Sequence, residues 1–413
     1  MACAAWPQAQ AEWPGFLGPD GAAKAPHANA PLDWSEDKGV QWTVPIHGRG
    51  WSSPVTDGAR IWLTTATEDG TQLSALCLDA STGEVLFDET LFEVDDPQFA
   101  HRFNSYASPT PLLDGDRVYI TFGSPGTTCL DTRTFERIWT RTDLECDHFR
   151  GAGSSPILHN GLLILHYDGA DHQYVTAFDA RTGDTVWKTD RSVDFQDLTP
   201  EGKPQADGDF RKGYATPTVT RHEDRDVLIS PGSKACYFYD AMTGEELGRH
   251  EDRSAHSVTG RPLAGHGLAY SVTGFSKGHL LALDMSKLLA GDEDALVWSV
   301  RRNVPNKPSP ILNQGLIFMI DDGGIASAID AVSGDTVWNE RVGGNYSASP
   351  LLIGERLYFF SEEGKTTITS AGREYEVLAE NELGDGFMGT PAVVGDDLIL
   401  RSRSALYRIS ATP

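Results

Sequence analysis

The amino-acid sequence predicts an all-β fold, an eight-bladed β-propeller of four-stranded antiparallel blades that is closed by an N-terminal strand. Three observations lead to this prediction. A turn motif recurs, in several copies with a tryptophan after it, and a single proline, here called the proline mark, recurs about once per blade. The composition of 42 glycines and 23 prolines suits many short strands and turns. A chain of 413 residues would ordinarily suggest two or three domains, but a closed propeller of this size is one cooperative body.

The turn motif is clearest in DARTGDTVWKTD at 179–190 and in DAVSGDTVWNER at 330–341. Looser or eroded copies lie at 79–87, 131–139, 240–248 and 283–298. Each copy follows a short apolar alternating run. Because Asp and Thr side chains bond nearby backbone and Gly accepts a positive φ, the motif predicts a hairpin, which we interpret as the connection from one blade to the next.

A tryptophan follows the turn motif, and we predict that it packs at the edge of the blade. A large aromatic side chain at the same place in successive sheets is typical of core packing rather than of a cofactor site. The residues to which we assign this blade-docking role are Trp42, Trp139, Trp187, Trp298 and Trp338.

The proline mark gives the blade period, with spacings of 40 to 61 residues. The eight prolines are Pro54, Pro111, Pro156, Pro217, Pro262, Pro310, Pro350 and Pro391. The last unit has room for about three strands only. We predict that GVQWTV at 39–44 supplies its missing outer strand, which would close the ring without a bare sheet edge.

The N-terminus predicts export. Residues 1–11 are predicted to be the residual tail of a signal peptide, because the tripeptide AQA before Glu12 matches an A-x-A cleavage site. Residues 12–38 are expected to cross the propeller as an extended arm, and 39–413 to form the single eight-bladed propeller. We therefore expect a periplasmic or extracellular protein. No apolar run approaches the roughly 20 residues that a transmembrane helix needs.

The charge balance excludes some partners. The chain has 34 basic and 59 acidic residues, a net charge of −25 and a pI near 4.7. Such a surface repels nucleic acid and anionic lipid over long range, so we expect no nucleic-acid partner. We expect a monomer.

The five cysteines are scattered along the chain. Cys77 and Cys129 occupy matching places in neighbouring repeats, which predicts small buried core residues. A disulfide between Cys129 and Cys146 stays open at this point. No CxxC or His-rich cluster suggests zinc or haem.

The repeat resembles that of the PQQ-like, or quinoprotein-type, propeller superfamily. Its segments ALCLDASTGEVLF, TAFDARTGDTVW and SAIDAVSGDTVW are similar to the tryptophan-docking motif of that superfamily, and the resemblance covers about residues 39–410. The superfamily includes PQQ-dependent alcohol and sugar dehydrogenases and also non-catalytic propellers similar to BamB. The resemblance therefore implies the fold and leaves the function open.

The segments just before the proline marks carry the candidate binding residues. In a propeller these connections lie on one face beside the central channel, and here they gather cations and aromatic side chains. Arginine suits carboxylate, sulfate or phosphate groups, and flat aromatic rings suit sugars. We predict a funnel for an anionic or carbohydrate-like ligand, formed by Arg49, Trp51, His101, Arg102, Tyr106, His148, Arg150, Arg211, Lys212, Tyr214, His256, Arg261, Lys307 and Tyr346.

Two features bear on this funnel. The insertions at 88–106 and 188–213 are predicted to lie on the same face, and long loops in a compact ring are often functional. The alternative is a structural role, in which the cations pair with local acids such as Asp147 and Asp209.

The sequence gives weak support for catalysis. The quinoprotein dehydrogenases that the repeat resembles usually carry adjacent cysteines over the cofactor and a calcium site of Glu, Asn and Asp. This chain has no Cys-Cys pair, and no motif transfers the calcium ligands, so we assign no catalytic and no metal-binding residue. A His base, as in soluble glucose-type quinoproteins, would be sought among His101, His148 and His256.

We therefore expect an exported PQQ-like propeller that acts as a ligand-binding or protein-interaction scaffold rather than as an enzyme. Its partner would be a small molecule, a glycan or a protein segment, and no cofactor is predicted. One alternative is a PQQ-dependent oxidoreductase that uses PQQ with calcium on an alcohol or sugar. The other is a carbohydrate-active propeller enzyme, which would need two acids converging on the funnel.

Overall fold

The computed structural model describes residues 13–275 and 278–411, so the predicted signal-peptide tail at 1–11 lies outside the described residues. The strands form eight sheets, each with four antiparallel strands, and this confirms the prediction of an all-β, eight-bladed propeller. One blade carries a fifth, parallel strand from the N-terminal segment.

Two strands precede the first blade, β1 (Lys24–Ala25) and β2 (Val40–Pro45). The strands of the first four blades are, for blade 1, β3 (Val55–Thr56), β4 (Arg60–Ala66), β5 (Gln72–Asp79) and β6 (Val85–Glu93); for blade 2, β7 (Leu112–Asp114), β8 (Arg117–Thr121), β9 (Thr127–Asp131) and β10 (Arg137–Arg141); for blade 3, β11 (Ile157–His159), β12 (Leu162–Asp168), β13 (Gln173–Asp179) and β14 (Thr185–Asp190); and for blade 4, β15 (Thr218–His222), β16 (Arg225–Pro231), β17 (Ala235–Asp240) and β18 (Glu246–Glu251).

The remaining strands are, for blade 5, β19 (Leu263–Gly265), β20 (Leu268–Val272), β21 (Leu280–Asp284) and β22 (Leu296–Val300); for blade 6, β23 (Ile311–Asn313), β24 (Leu316–Ile320), β25 (Ile325–Asp330) and β26 (Thr336–Arg341); for blade 7, β27 (Leu351–Ile353), β28 (Arg356–Phe360), β29 (Lys365–Ser370) and β30 (Val377–Glu382); and for blade 8, β31 (Ala392–Val394), β32 (Asp397–Arg401) and β33 (Ala405–Ile409). Within the described residues, helical structure is confined to α1 (Met285–Leu289) and to 3₁₀ turns at Gln205–Gly208 and Glu293–Ala295. Because α1 lies between β21 and β22, the motif copy at 283–298 is stretched.

The N-terminal strand β2 completes blade 8. It pairs antiparallel with β33, placing Trp42 opposite Arg408, and the order across the sheet is β2-β33-β32-β31. This confirms the predicted closure. The second and third strands of each blade are almost fully buried, as in β12 and β24, so the core lies between neighbouring sheets.

The turn motif forms a hairpin inside a blade. In blade 3 it joins β13 to β14, with Asp179 accepting hydrogen bonds from the N–H groups of Arg181 and Thr182 and with Gly183 at a φ of 78°. The interpretation of this turn as a connection between blades is therefore wrong. A tight turn can join only neighbouring antiparallel strands, and the longer segments before the prolines connect the blades.

Four of the five predicted tryptophans pack on a glycine in the turn of the following blade. A Cβ atom at Gly183 would lie 2.7 Å from the ring of Trp139, so a glycine there leaves room for the indole. The same contact joins Trp42 to Gly83, Trp187 to Gly244 and Trp298 to Gly334. We call Trp42, Trp139, Trp187, Trp298 and Trp338 the outer ring.

A second set of joints surrounds the propeller axis. It is formed by the residues immediately before the prolines, here called the inner ring: Ser53, Thr110, Ser155, Thr216, Arg261, Ser309, Ser349 and Thr390. In the first half of the ring, the N–H of Ser53 donates to Thr110 Oγ1 at 3.0 Å, and that of Thr110 donates to Ser155 Oγ at 2.9 Å. The N–H of Ser155 donates to Thr216 Oγ1 at 2.9 Å.

The second half repeats the pattern. The N–H of Arg261 donates to Ser309 Oγ at 3.0 Å, and that of Ser309 to Ser349 Oγ at 2.9 Å. The N–H of Ser349 donates to Thr390 Oγ1 at 2.9 Å. Six of the eight blades therefore donate a buried main-chain N–H to a hydroxyl of the following blade. Among the described residues the two exceptions are at Arg261, which has no hydroxyl, and at Ser53, whose hydroxyl accepts no main-chain N–H.

The N-terminal segment runs along the ends of the inner strands. Trp13 exchanges two hydrogen bonds of 2.9 Å with Thr56 in blade 1, and the carbonyl oxygen of Pro14 accepts a bond of 2.7 Å from the N–H of Leu113 in blade 2. The inner strands begin at the prolines and end at this segment. The segment therefore covers the face opposite the blade-to-blade connections.

The same segment then reaches the other side of the propeller. Arg261 donates a hydrogen bond of 2.8 Å to the carbonyl oxygen of Phe16, and β1 pairs in parallel with β27 of blade 7. Farther along, the N–H of Trp34 donates to Asn381 Oδ1 at 2.9 Å. Because Trp13 and Trp34 are both buried, the segment is part of the core rather than a loose extension.

Candidate functional site

A cavity of about 270 Å³ lies on the propeller axis and opens at the face of the blade-to-blade connections. Its mouth is formed by Trp51, His101, Phe103, Asn104, Arg150, Tyr214, Lys307 and Met388, its wall includes Ser53, Thr110, Ser155, Thr216, Ser349 and Thr390 of the inner ring, and its floor is Phe16. The cavity is thus closed at the inner end by the N-terminal segment. Among the described side chains that line it there is no carboxylate.

Trp51 is fixed at the mouth by two contacts. Its Nε1–H donates to the carbonyl oxygen of Phe103 at 3.1 Å, and the guanidinium of Arg49 lies over its ring, 5.1 Å from the centroid. Arg49 also donates to the carbonyl oxygen of Arg102. These contacts tie the connection before blade 1 to the connection before blade 2.

The insertion at 88–106 brings three side chains to the mouth, as its predicted location implies. The ring of His101 stacks on that of Phe103 at 5.3 Å, and burial together with Arg150 and Arg102 lowers the pKa of His101. The amide Nδ2 of Asn104 donates to the carbonyl oxygens of Arg150 and Gly151, both at 3.0 Å. Asn104 therefore fixes the loop that carries Arg150.

Two cations at the mouth have acidic partners outside the cavity. Arg150 lies 3.5 Å from Asp209 and over the ring of Phe149, and Lys307 Nζ lies 2.7 Å from Glu362 Oε1. Neither acid is among the lining residues. The ion pairs hold the two cations in place, while the lining itself carries only positive charge.

The insertion at 188–213 lies behind the mouth. Arg211 pairs with Asp197, with Nε and Oδ2 2.9 Å apart, and Lys212 is buried against Asp209 and the ring of Phe149. Neither cation lines the cavity. Both cations therefore form local ion pairs, as the structural alternative predicts, and Asp209 is one of the two acids.

Burial lowers the pKa of two of the predicted histidines, His148 and His256, well below the usual value for histidine. Burial lowers the pKa of His148 to about 4, and its Nε2 accepts a hydrogen bond of 3.0 Å from the N–H of Ser124. Burial, aided by Lys234 and Lys212, also lowers the pKa of His256 to about 4. Neither imidazole lines the axial cavity.

The remaining predicted residues lie around or away from the cavity. Arg49 and Arg102 are at its outer margin, while Tyr106 packs against Gly70. Tyr346 is fully buried, and Arg261 points to the N-terminal segment. The structure therefore brings Trp51, His101, Arg150, Tyr214 and Lys307 together at one cavity, and ligand binding by any of the predicted residues stays a prediction.

The sequence analysis missed the wall and the floor. The wall hydroxyls could have been identified from the sequence, because a serine or threonine stands before seven of the eight prolines. The floor had none, since Phe16 lies 245 residues from Arg261, which holds its carbonyl oxygen.

The residues at the cavity do not fit a PQQ–calcium site. Calcium takes six to eight oxygen ligands, among them carboxylates, and the lining has none. Among the described residues there is also no group of three or more His, Cys, Asp or Glu side chains placed to hold a metal ion. Cys77, Cys129, Cys146 and Cys236 are all free, so Cys129 and Cys146 are not joined.

No helix in the described parts of the chain has the length and apolarity that crossing a bilayer would require.

Comparison with solved structures finds the same fold in proteins of different activity. A europium-containing methanol dehydrogenase matches with a TM-score of 0.69 at 13% identity, over 96% of this chain and 90% of its own. The quinohemoprotein alcohol dehydrogenase of Comamonas testosteroni matches with a TM-score of 0.67 at 14% identity, over 98% and 81%. BamB of Moraxella catarrhalis matches with a TM-score of 0.59 at 12% identity, over 90% and 99%. At these identities the similarity concerns the fold alone.

Sequence comparison gives the family. No curated protein shows significant sequence similarity to the chain. A family model described as outer membrane protein assembly factor BamB matches residues 34–288 and 171–412, which together span most of the sequence. The chain therefore belongs to this BamB-like family of PQQ-like propellers.

Proposed function

We propose that this protein is an exported binding propeller whose axial cavity holds a small anionic or carbohydrate-like ligand. The observation that carries the proposal is the composition of the cavity: aromatic rings and cations at the mouth, hydroxyls along the wall, and no carboxylate among the described lining residues. Ligand sites are typically concave and apolar with a few convergent polar groups, and this cavity has that character.

The chemistry of the mouth supports such a ligand. Trp51, Phe103 and Tyr214 offer flat apolar surfaces for a ring, and Arg150 and Lys307 offer charge-assisted hydrogen bonds to an acid group. Since Arg150 and Lys307 are held from behind by Asp209 and Glu362, little ordering is needed when a ligand binds.

A binding role is supported over hydrolysis by the same lining. Glycoside hydrolysis ordinarily uses two carboxyl groups that flank the scissile bond, and the described lining contains none.

Export is proposed from the sequence of the N-terminal residues, and membership of a family named for outer membrane assembly supports it. A protein segment as ligand is favoured by the exposure of Phe99 and Phe103, at 64% and 56%, beside the mouth.

The test is calorimetric titration of the purified protein with glucose and with glucuronate. We expect saturable binding of glucuronate, weaker binding of glucose, and a loss of affinity of about tenfold in Arg150→Ala and in Lys307→Ala, as expected when a charge-assisted hydrogen bond is removed. Arg373→Ala is the control, because Arg373 pairs with Asp330 on the exposed surface and does not line the cavity.

Two results would overturn the proposal. Absence of saturable binding of either sugar would remove the small-molecule role and leave the protein segment as ligand. A stoichiometric quench of tryptophan fluorescence by PQQ with calcium would support the oxidoreductase instead.

A further inference from the structure

The inner ring holds hydroxyl groups that donate no hydrogen bond to the part of the chain that the structure describes. Thr110, Ser155, Thr216, Ser349 and Thr390 each accept one main-chain N–H bond through the side-chain oxygen. Among the described residues, none of these five hydroxyls donates a hydrogen bond. Ser53 differs, since its hydroxyl neither accepts nor donates a bond to a described residue.

These residues are buried and line the cavity. Their exposed fractions are 2% or 3%, yet all six belong to the cavity wall. A buried O–H group without an acceptor is costly, so a ring of such groups around one space calls for an acceptor in that space. A hydroxyl that already accepts a hydrogen bond is also polarised, which makes it a stronger donor.

The surroundings of the ring are positive. The two gaps in the chain of ring hydrogen bonds lie beside buried guanidinium groups, those of Arg261 and Arg401. Arg401 donates to the carbonyl oxygens of Ser52 and Thr64, at 2.8 Å each, and Arg261 donates to Phe16 and Thr218. Neither guanidinium has a carboxylate within salt-bridge distance among the described residues, so their charge is not neutralised by a direct partner.

We propose that the inner end of the axial cavity is an oxyanion subsite, in which a carboxylate, sulfate or phosphate group accepts hydrogen bonds from the hydroxyls of the inner ring. This inference deepens the proposed function and rests on it, because it names the chemical group of the ligand and the end by which the ligand enters.

The donor arrangement selects an oxyanion over the other occupants. A neutral sugar hydroxyl both donates and accepts, whereas an oxyanion only accepts and can take hydrogens from several donors at once. A cation would use the second lone pairs of the same oxygens, but the nearby Arg261 and Arg401 repel it. Water in the inner ring could accept the hydroxyl hydrogens, but as a neutral molecule it would gain little from the positive charge of Arg261 and Arg401.

The experiment uses two sulfated probes, inorganic sulfate and glucose 6-sulfate, in calorimetric titrations at constant ionic strength with chloride as the balancing ion. Ser53→Ala removes a hydroxyl that makes no bond to any described residue, so the variant should fold normally. Thr390→Val removes a wall hydroxyl together with the acceptor for the N–H of Ser349. Ser309→Ala is the matched control, because it loses an equivalent acceptor, for Arg261, without lining the cavity.

We expect both probes to bind saturably and Ser53→Ala and Thr390→Val to weaken binding by about tenfold each, with Ser309→Ala unchanged. Tighter binding of glucose 6-sulfate than of sulfate would identify the oxyanion as the head of an organic ligand, and equal binding would identify a free anion.

Two outcomes overturn the inference. Saturable binding that is insensitive to Ser53→Ala and Thr390→Val, but is lost in Arg150→Ala, would place the anion at the mouth and leave the proposed function standing. No saturable binding of either probe would remove the subsite, and the glucose and glucuronate titrations would then decide the proposed function by themselves.

Discussion

The outer ring and the inner ring join neighbouring blades of the propeller in different ways. In the outer ring, the Nε1–H groups of four tryptophans donate to carbonyl oxygens of the following blade at 3.0 to 3.1 Å: Trp42, Trp139, Trp298 and Trp338. An indole has one donor, and this bond uses it. In the inner ring, six of the seven hydroxyls accept a main-chain bond, and among the described residues none of the seven donates one.

This difference separates stability from binding in the molecule. None of the outer-ring tryptophans lines the cavity, so a defect there should affect unfolding alone. The inner ring faces the cavity with unused donors, and a defect there should affect a ligand. The four predictions below, ordered from the largest to the smallest expected effect, test this separation.

The largest effect is expected in the outer ring, for Trp187→Ala. The indole is 7% exposed and packs on Gly244 of the next blade, so its removal should lower the free energy of unfolding by about 3 to 5 kcal/mol. Urea denaturation followed by circular dichroism gives the change, and Val186→Ala, at a position 51% exposed, is the control. Glucuronate binding should remain; its loss would contradict the separation.

Acidification should destabilise the protein through the buried His148. The pKa of His148 is about 4 in the native protein and near 6.5 in the unfolded chain, so His148 becomes protonated at a lower pH in the native state than in the unfolded chain. The stability associated with neutral His148 is therefore complete above about pH 6.5 and declines as the pH falls towards 4, by about 3 kcal/mol in all.

His148→Gln checks this assignment. Glutamine does not titrate and can accept the N–H of Ser124, which His148 Nε2 accepts in the native protein. Urea unfolding between pH 7 and pH 4.5 should therefore show a shallower loss of stability in the variant. An equal loss in both proteins would mean that other groups determine the acid sensitivity.

The fold could be predicted from the sequence because the repeat is local. The proline recurs every 40 to 61 residues, the turn and the tryptophan recur in most blades, and even the closure by β2 followed from a missing strand. The position of the hairpin in the propeller could not be predicted from the motif. The motif shows that two strands are adjacent, but it does not show whether the turn lies inside a blade or between blades.

The site was predicted in part for the same reason. The segments before the prolines identified the face, and Trp51, Arg150 and Lys307 do reach the cavity. Residue type does not reveal side-chain direction, however. Arg261 occupies a ring position like any serine, but its guanidinium turns to the carbonyl oxygen of Phe16, a contact between distant parts of the chain.

A smaller effect is expected for Ser309→Ala in the inner ring. The variant leaves the buried N–H of Arg261 without an acceptor, which should lower the free energy of unfolding by about 1 to 3 kcal/mol. Urea denaturation measures it, and the cavity ligand should bind as before because Ser309 does not line the cavity. A change within experimental error would show that the ring hydrogen bonds contribute little to closure.

The smallest effect on stability is expected for Ser53→Ala, at the position where the ring hydrogen bonds begin. No main-chain N–H donates to the Ser53 hydroxyl among the described residues, so the variant should unfold within about 0.5 kcal/mol of the unmodified protein. The same urea titration measures this change. A destabilisation as large as that of Ser309→Ala would mean that the hydroxyl closes the ring by receiving the N–H of Thr390, and Ser53 would then belong with the structural joints. An unchanged stability combined with weakened sulfate binding is the result that only an uncommitted donor facing the cavity produces.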